Sequence, residues 1–150
     1  MRQVARAFVK NKNKKFLLTK HKWKNIWVLP GWWLDKNESI FKAVKRELKE
    51  EFNLEVKILW NKIWLKSKNI IKEYPSPICS YKIEFESKKY WLQKRIEYIF
   101  LCEIKNSLDD IKIQEKEIWE YKFFSLDEII NLDDTFDQIK EIAKYLKNAE

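Results

Sequence analysis

Three glutamates, Glu47, Glu50 and Glu51, stand at positions i, i+3 and i+4 in the run ELKEE of this 150-residue chain. On an α-helix that spacing puts all three on one face, within an arc of roughly 100°. Unpaired, such a cluster repels itself and raises its own pKa values. A hard divalent cation removes the repulsion, because Mg²⁺ takes a few carboxylate oxygens and keeps several waters for a phosphate substrate. A plainer reading competes with this one: Lys45, Arg46 and Lys49 could neutralise the same glutamates across a solvated face.

The wider spacing separates the two readings. Glu38 is followed by seven residues, then Arg46-Glu47, Leu48, one residue, Glu50-Glu51, one residue, and Asn53-Leu54. This pattern resembles the signature of the Nudix hydrolases, which reads Gly, five residues, Glu, seven residues, Arg-Glu, an aliphatic, one residue, Glu-Glu, one residue, Gly, an aliphatic. Two positions depart from it. Trp32 stands where the first signature glycine falls, so Gly31 matches the glycine that usually precedes the box, and Asn53 replaces the second. Asn is the mildest substitute at a left-handed helix end. An indole at Trp32 restricts the loop and lies near the expected phosphate site, where it either contacts substrate or disturbs metal geometry.

The resemblance implies a metal-dependent hydrolase that cleaves a diphosphate bond in a nucleoside diphosphate linked to another group, with Mg²⁺ (or Mn²⁺) as cofactor. Position by position, Glu47, Glu50 and Glu51 match the family's metal ligands, Glu47 and Glu51 its catalytic carboxylates, and Glu47 the candidate base. Arg46 matches the arginine that orients these carboxylates, and Gly31 the loop residue whose carbonyl helps hold metal. Glu38 matches the first box glutamate, in a structural, accessory or substrate-binding role. Some relatives use a further acid near the last strand; Glu117 and Glu120 are the candidates here, with an ordinary surface role as the alternative for each.

Substrate choice rests on the aromatics. Of eight tryptophans, Trp23, Trp27, Trp32 and Trp33 cluster around the box entrance. Indoles stack on bases, so Trp32 and Trp33 are candidate substrate contacts, whereas Trp60, Trp64 and Trp119 read as core. A small nucleotide, such as a (modified) nucleoside triphosphate, is the expected partner. An RNA 5′ end and a non-catalytic nucleotide-binding module are the alternatives, the first favoured by basic charge, the second by Trp32.

The net charge of +8 favours polyanionic ligands. It points to no focused nucleic-acid patch, since only four of the 31 basic residues are arginine and the lysines run along the whole chain. The length suits a single domain, residues 1–150, with a real core. No apolar run is long enough for a membrane span, and residues 1–10 lack a signal-peptide core. Cys79 and Cys102 show no metal-ligand spacing and read as free thiols of a cytoplasmic protein, monomer or homodimer. His21 reads as a surface imidazole.

The elements that must position this chemistry follow from periodicity. Residues 3–10 alternate as a strand, 11–14 turn, and 15–20 form the hairpin partner. Residues 26–29 make a short strand stopped by Pro30, and Trp33-Leu34 a brief one. Asn37 or Ser39 caps a helix running to about Phe52, with Phe41, Val44, Leu48 and Phe52 as its core stripe. Residues 54–65 alternate as a long strand. Residues 78–85 and 95–104 look like an antiparallel pair, the second apolar on both faces and therefore central. Residues 118–124 are a last strand, 125–128 a capped turn, and 135–147 an amphipathic closing helix. Strands on both sides of a helix imply an α+β class, and the family resemblance sharpens this to an α/β/α sandwich around a mixed central sheet.

Overall fold

The structure, a computed structural model, describes residues 1–21, 25–35, 37–59, 63, 65–66, 71, 73–86, 92–113 and 118–149, with the backbone alone for His21, Leu108 and Trp119. Two parallel strands form its axis. β1 (Arg2–Lys10) and β6 (Gln93–Ile104) run side by side from the pair Arg2–Arg95 to the pair Lys10–Glu103. Both are buried centrally, as expected of the apolar run at 95–104.

The outer edge of each axial strand is shared between two partners. β1 pairs with β3 (Gly31–Trp33) at Val4 to Arg6, and turns at Lys10 into β2 (Phe16–His21). β6 pairs with β5 (Cys79–Phe85) over its first half and with β4 (Val56–Leu59) over its second. β7 (Ile118–Phe124) pairs with β2, with a register shift at Lys20/His21. Among the described residues the sheet has seven strands, and every named pairing except β1 with β6 is antiparallel.

Alternation along these strands sends side chains to two separate cores. Ala5, Ala7, Val9, Phe100 and Cys102 face α1 (Ile40–Phe52), meeting Val44, Leu48 and Phe52. Phe8, Leu18 and Ile99 face the other way, toward Leu126 and Ile129 of α2 (Leu126–Ile130) and Ile139, Ile142 and Ala143 of α3 (Asp137–Asn148). The result is the expected α/β/α sandwich with a mixed sheet. α2 begins with a full capping box, Ser125 and Glu128 bonding each other's backbone N–H at 3.1 Å.

Three local expectations change. Residues 26–29 form isolated bridges, Val28 to Thr19 and Trp27 to Thr135, rather than a strand. The brief strand begins at Gly31 and ends at Trp33, so Leu34 lies beyond it. Of the long strand expected at 54–65, only β4 forms among the described residues, while Leu54, Glu55, Ile63 and Leu65 lie in no strand; Trp60 and Trp64 lie outside the described residues, as does Trp23.

Candidate active site

Helix α1 is built to present one charged edge. Ala43, Val44, Leu48 and Phe52 are buried, which fixes its rotation on the sheet. Ser39 caps its start, its Oγ accepting from the Lys42 N–H at 3.4 Å. Asn53 ends it at φ 55° and ψ 36°, the left-handed conformation expected of a glycine substitute. The Asn53 N–H donates to the Lys49 carbonyl at 2.9 Å and that of Leu54 to Leu48 at 3.2 Å. Asn53 also does what glycine cannot: its Nδ2 donates to the Asp110 carbonyl at 2.9 Å, tying the helix end to the loop after β6.

Arg46 organises the glutamates. Its Nε and Nη2 donate to the two Glu38 oxygens at 2.6 and 2.9 Å, a bidentate fork. Its Nη1 lies 3.0 Å from Glu50 Oε2 and 3.1 Å from Glu47 Oε1. One guanidinium thus holds three of the carboxylates expected at this site. The Arg46 bond keeps the Glu38 carboxyl below the usual range. Those carboxylates in turn raise the pKa of Arg46, so it stays charged. Glu47 moves the other way: burial pushes its carboxyl up, and nearby Glu50 adds to that against the pull of Arg46.

The Glu47 shift makes a stability prediction. A carboxyl whose folded pKa lies above its unfolded value binds its proton more tightly when folded. Its ionisation therefore costs stability, fully so once pH has risen above the folded pKa. Glu47→Gln removes that cost while keeping an oxygen toward Arg46, so with chelator present at pH 7 its melting temperature should exceed wild type, and the gap should close in acid. A lower melting temperature at pH 7 would contradict this.

Glu51 sits half-buried on the same helix edge. Among the described residues, no three His, Cys, Asp or Glu side chains are grouped closely enough to cage a cation as they stand. In kind the donor set suits one: hard carboxylate oxygens within a single turn, beside clefts open to solvent. Glu50 is 55% exposed, so turning it from Arg46 toward a cation asks only a rotamer change.

The two tryptophans of β3 part company. Pairing with β1 turns Trp32 inward, where it is 6% exposed and packs among Val44, Leu48 and the α1-side core, its Nε1 without a hydrogen-bond partner. So buried an indole offers a ligand little surface, and the structure gives Trp32 a core position in place of the expected substrate contact. Trp33 points outward at 48% exposure, with the Arg2 guanidinium 4.6 Å and that of Arg95 5.9 Å from its ring centroid. It walls a cleft of about 540 Å³ with Arg2, Asp35 and Glu38. An adjoining cleft shares Asp35 and Glu38 and reaches Arg46. Trp33 and the Arg46 cluster are therefore joined by a continuous surface.

Gly31, the chain's only glycine, is required by close approach. A Cβ there would meet Arg6 Cγ and Nη1 at 2.7 Å. Arg6 cannot easily yield, since its Nη1 donates to the Leu29 carbonyl and its Nε to Glu97, both at 3.0 Å. Arg6, Arg95 and Tyr81, all part-buried, form a network around the buried Glu97 carboxylate that is absent from the sequence reading. The signal for it was single charges of opposite sign inside apolar strands, Arg6 in VARAFV and Glu97 in IEYIFL.

Of the two proposed accessory acids, Glu120 is not gathered at α1. Glu120 is exposed, and it alternates with Tyr121 and Phe123, which pack toward α1, so β7 directs it from the opposite face. Glu117 lies outside the described residues, and so does the side chain of His21.

The chain as a whole resembles several known proteins. Nudix hydrolase 6 of Arabidopsis thaliana is 25% identical over 148 residues, covering 95% of this chain but 44% of the relative. An RNA pyrophosphohydrolase of Campylobacter jejuni is 29% identical over 110 residues, 72% of this chain and 64% of that one. The chain thus spans less than half the length of the Arabidopsis relative and under two thirds of the bacterial one. A crystal structure of a NUDIX-family hydrolase from Clostridium perfringens superposes with a TM-score of 0.74 at 21% identity, covering 99% and 97% of the two chains. The family model of the NUDIX domain matches residues 1–146, and the chain belongs to that family.

Proposed function

We propose that this chain is a divalent-metal-dependent hydrolase of a diphosphate bond, acting on a small nucleotide such as a (modified) nucleoside triphosphate. The observation that carries the reading is the Arg46 fork, which gathers Glu47 and Glu50 of α1 with Glu38 just ahead of the helix, beside the Trp33 cleft. Glu47, Glu50 and Glu51, with the Gly31 carbonyl, would hold Mg²⁺ or Mn²⁺. When bound, such a cation offsets phosphate charge and makes water easier to deprotonate. Glu47 takes the proton from the attacking water, a task its raised pKa suits. Arg46 orients the carboxylates, and Glu38 anchors Arg46 from the first box position. The free thiols Cys79 and Cys102 support a reducing, cytoplasmic setting, and no described helix is long and apolar enough to cross a membrane.

Trp33 is the proposed stacking surface for the base. Stacking on an aromatic side chain is worth about 1–3 kcal/mol per base, so Trp33→Ala should raise KM on the order of 5- to 150-fold. Because ground state and transition state lose that contact equally, kcat should hardly change. A KM within twofold of wild type would remove Trp33 from the substrate site.

A second reading, an RNA 5′-end pyrophosphohydrolase, draws on the net charge of +8 and the likeness to the Campylobacter jejuni RNA pyrophosphohydrolase. Comparing a nucleoside triphosphate with a 5′-triphosphorylated RNA of the same first nucleotide separates the two. Preference for the mononucleotide, with weak salt dependence, supports the first reading. Preference for RNA with a steep fall in affinity as salt rises supports the second.

A further inference from the structure

The carboxylate of Glu97 is 1% exposed and fully engaged. Its Oε1 accepts from Arg6 Nε at 3.0 Å and from the Tyr81 hydroxyl at 2.8 Å, and its Oε2 accepts from Arg95 Nε at 2.7 Å. A buried charge needs a partner, but one guanidinium would meet that need, and this site has two. Each reaches onward to a different place.

Arg6 reaches the segment ahead of β3. Its Nη1 donates to the Leu29 carbonyl at 3.0 Å, its neighbour Ala7 donates from the backbone to the Pro30 carbonyl at 3.0 Å, and its side chain lies against Gly31. Leu29 and Gly31 thus bear on Arg6 itself, and Pro30 between them is held by the next residue of the same strand. Arg95 reaches the cleft wall, its guanidinium 5.9 Å from the Trp33 ring centroid and 5.3 Å from that of Phe85. The segment and the cleft wall share a single buried anchor.

We infer that Glu97, acting through Arg6, is a positioning residue that fixes residues 29–31 and so aims the Gly31 carbonyl at the cation site on α1. This rests on the metal role proposed for Gly31. Buried polar partners one step removed from a metal ligand typically govern affinity by 10–100-fold. A lysine at position 6 keeps the positive charge opposite Glu97, but its single nitrogen cannot serve both Glu97 and the Leu29 carbonyl as the arginine fork does.

The test is Mn²⁺ binding to the protein without nucleotide, read from the paramagnetic resonance of the free ion, alongside melting temperature. Wild type, Arg6→Lys, Arg6→Met and Glu97→Gln are compared. Arg6→Lys is expected to melt well above Arg6→Met, yet to bind Mn²⁺ about tenfold or more weakly than wild type. Glu97→Gln, which keeps an acceptor for Tyr81 but leaves two guanidiniums uncompensated, should lose Mn²⁺ affinity similarly, and it carries the test if Arg6→Lys does not fold. Wild-type Mn²⁺ affinity in the folded variants would overturn the positioning role and leave the hydrolase reading standing. Affinity that simply follows melting temperature across the series would also overturn it. Failure of wild type itself to bind Mn²⁺ would overturn both.

Discussion

Glu51→Gln is expected to abolish most turnover, on the order of a hundredfold or more, while leaving the protein folded. The amide keeps the size of the side chain and an oxygen for the neighbours Glu51 meets. It removes the negative charge on which a hard cation depends. Gln and Glu have similar helix propensity, and the position is only half-buried, so α1 should persist. Circular dichroism and melting temperature check the fold, and kcat at saturating Mg²⁺ checks the chemistry. A folded Glu51→Gln protein with wild-type kcat would remove Glu51 from the site.

Phe52→Ala should have the largest effect on stability. Phe52 is fully buried at the last turn of α1, edge-on to Tyr121 with ring centroids 6.5 Å apart. Its carbonyl also accepts from the Lys112 N–H at 3.0 Å, so the helix end, β7 and the loop after β6 meet there. Truncating such a phenylalanine costs about 3–5 kcal/mol, from lost transfer energy and the cavity left behind. For a domain of this size that lowers the melting temperature by about 6–20 °C. Glu47, Glu50 and Glu51 ride on the same helix, so activity at elevated temperature should fall in parallel. A fall below about 4 °C would mean that the site collapses around the smaller side chain.

Sequence pattern carried the helix and the clustering of its charged side chains because both are local. Glu38, Arg46, Glu47 and Glu50 lie within thirteen positions, counted 38 to 50 inclusive; the 3.6-residue period brings Arg46, Glu47 and Glu50 together, and Glu38 stands just ahead of the cap within reach of Arg46. Asn53 was legible for the same reason, since a helix stop needs a left-handed residue whatever surrounds it. β1, β2, β5, β6 and β7 were legible as alternating or wholly apolar runs. What was hidden depends on pairing between distant strands. Trp32 and Trp33 look alike in the sequence, and only the register of β3 on β1 sends one inward and the other to the cleft. The contacts of Glu97 with Arg6 and Tyr81 span 91 and 16 positions. The need for glycine at position 31 likewise arises from Arg6, a residue on another strand, and not from an unusual backbone angle.

The most direct measurement is phosphate or diphosphate release from a panel of nucleotides by the wild-type protein, with and without Mg²⁺ or Mn²⁺, and with Glu51→Gln beside it. The expected result is release from at least one small nucleotide that needs the cation and is lost in the variant. Release that persists in chelator, or that Glu51→Gln retains in full, would contradict catalysis by a cation held on the α1 glutamates.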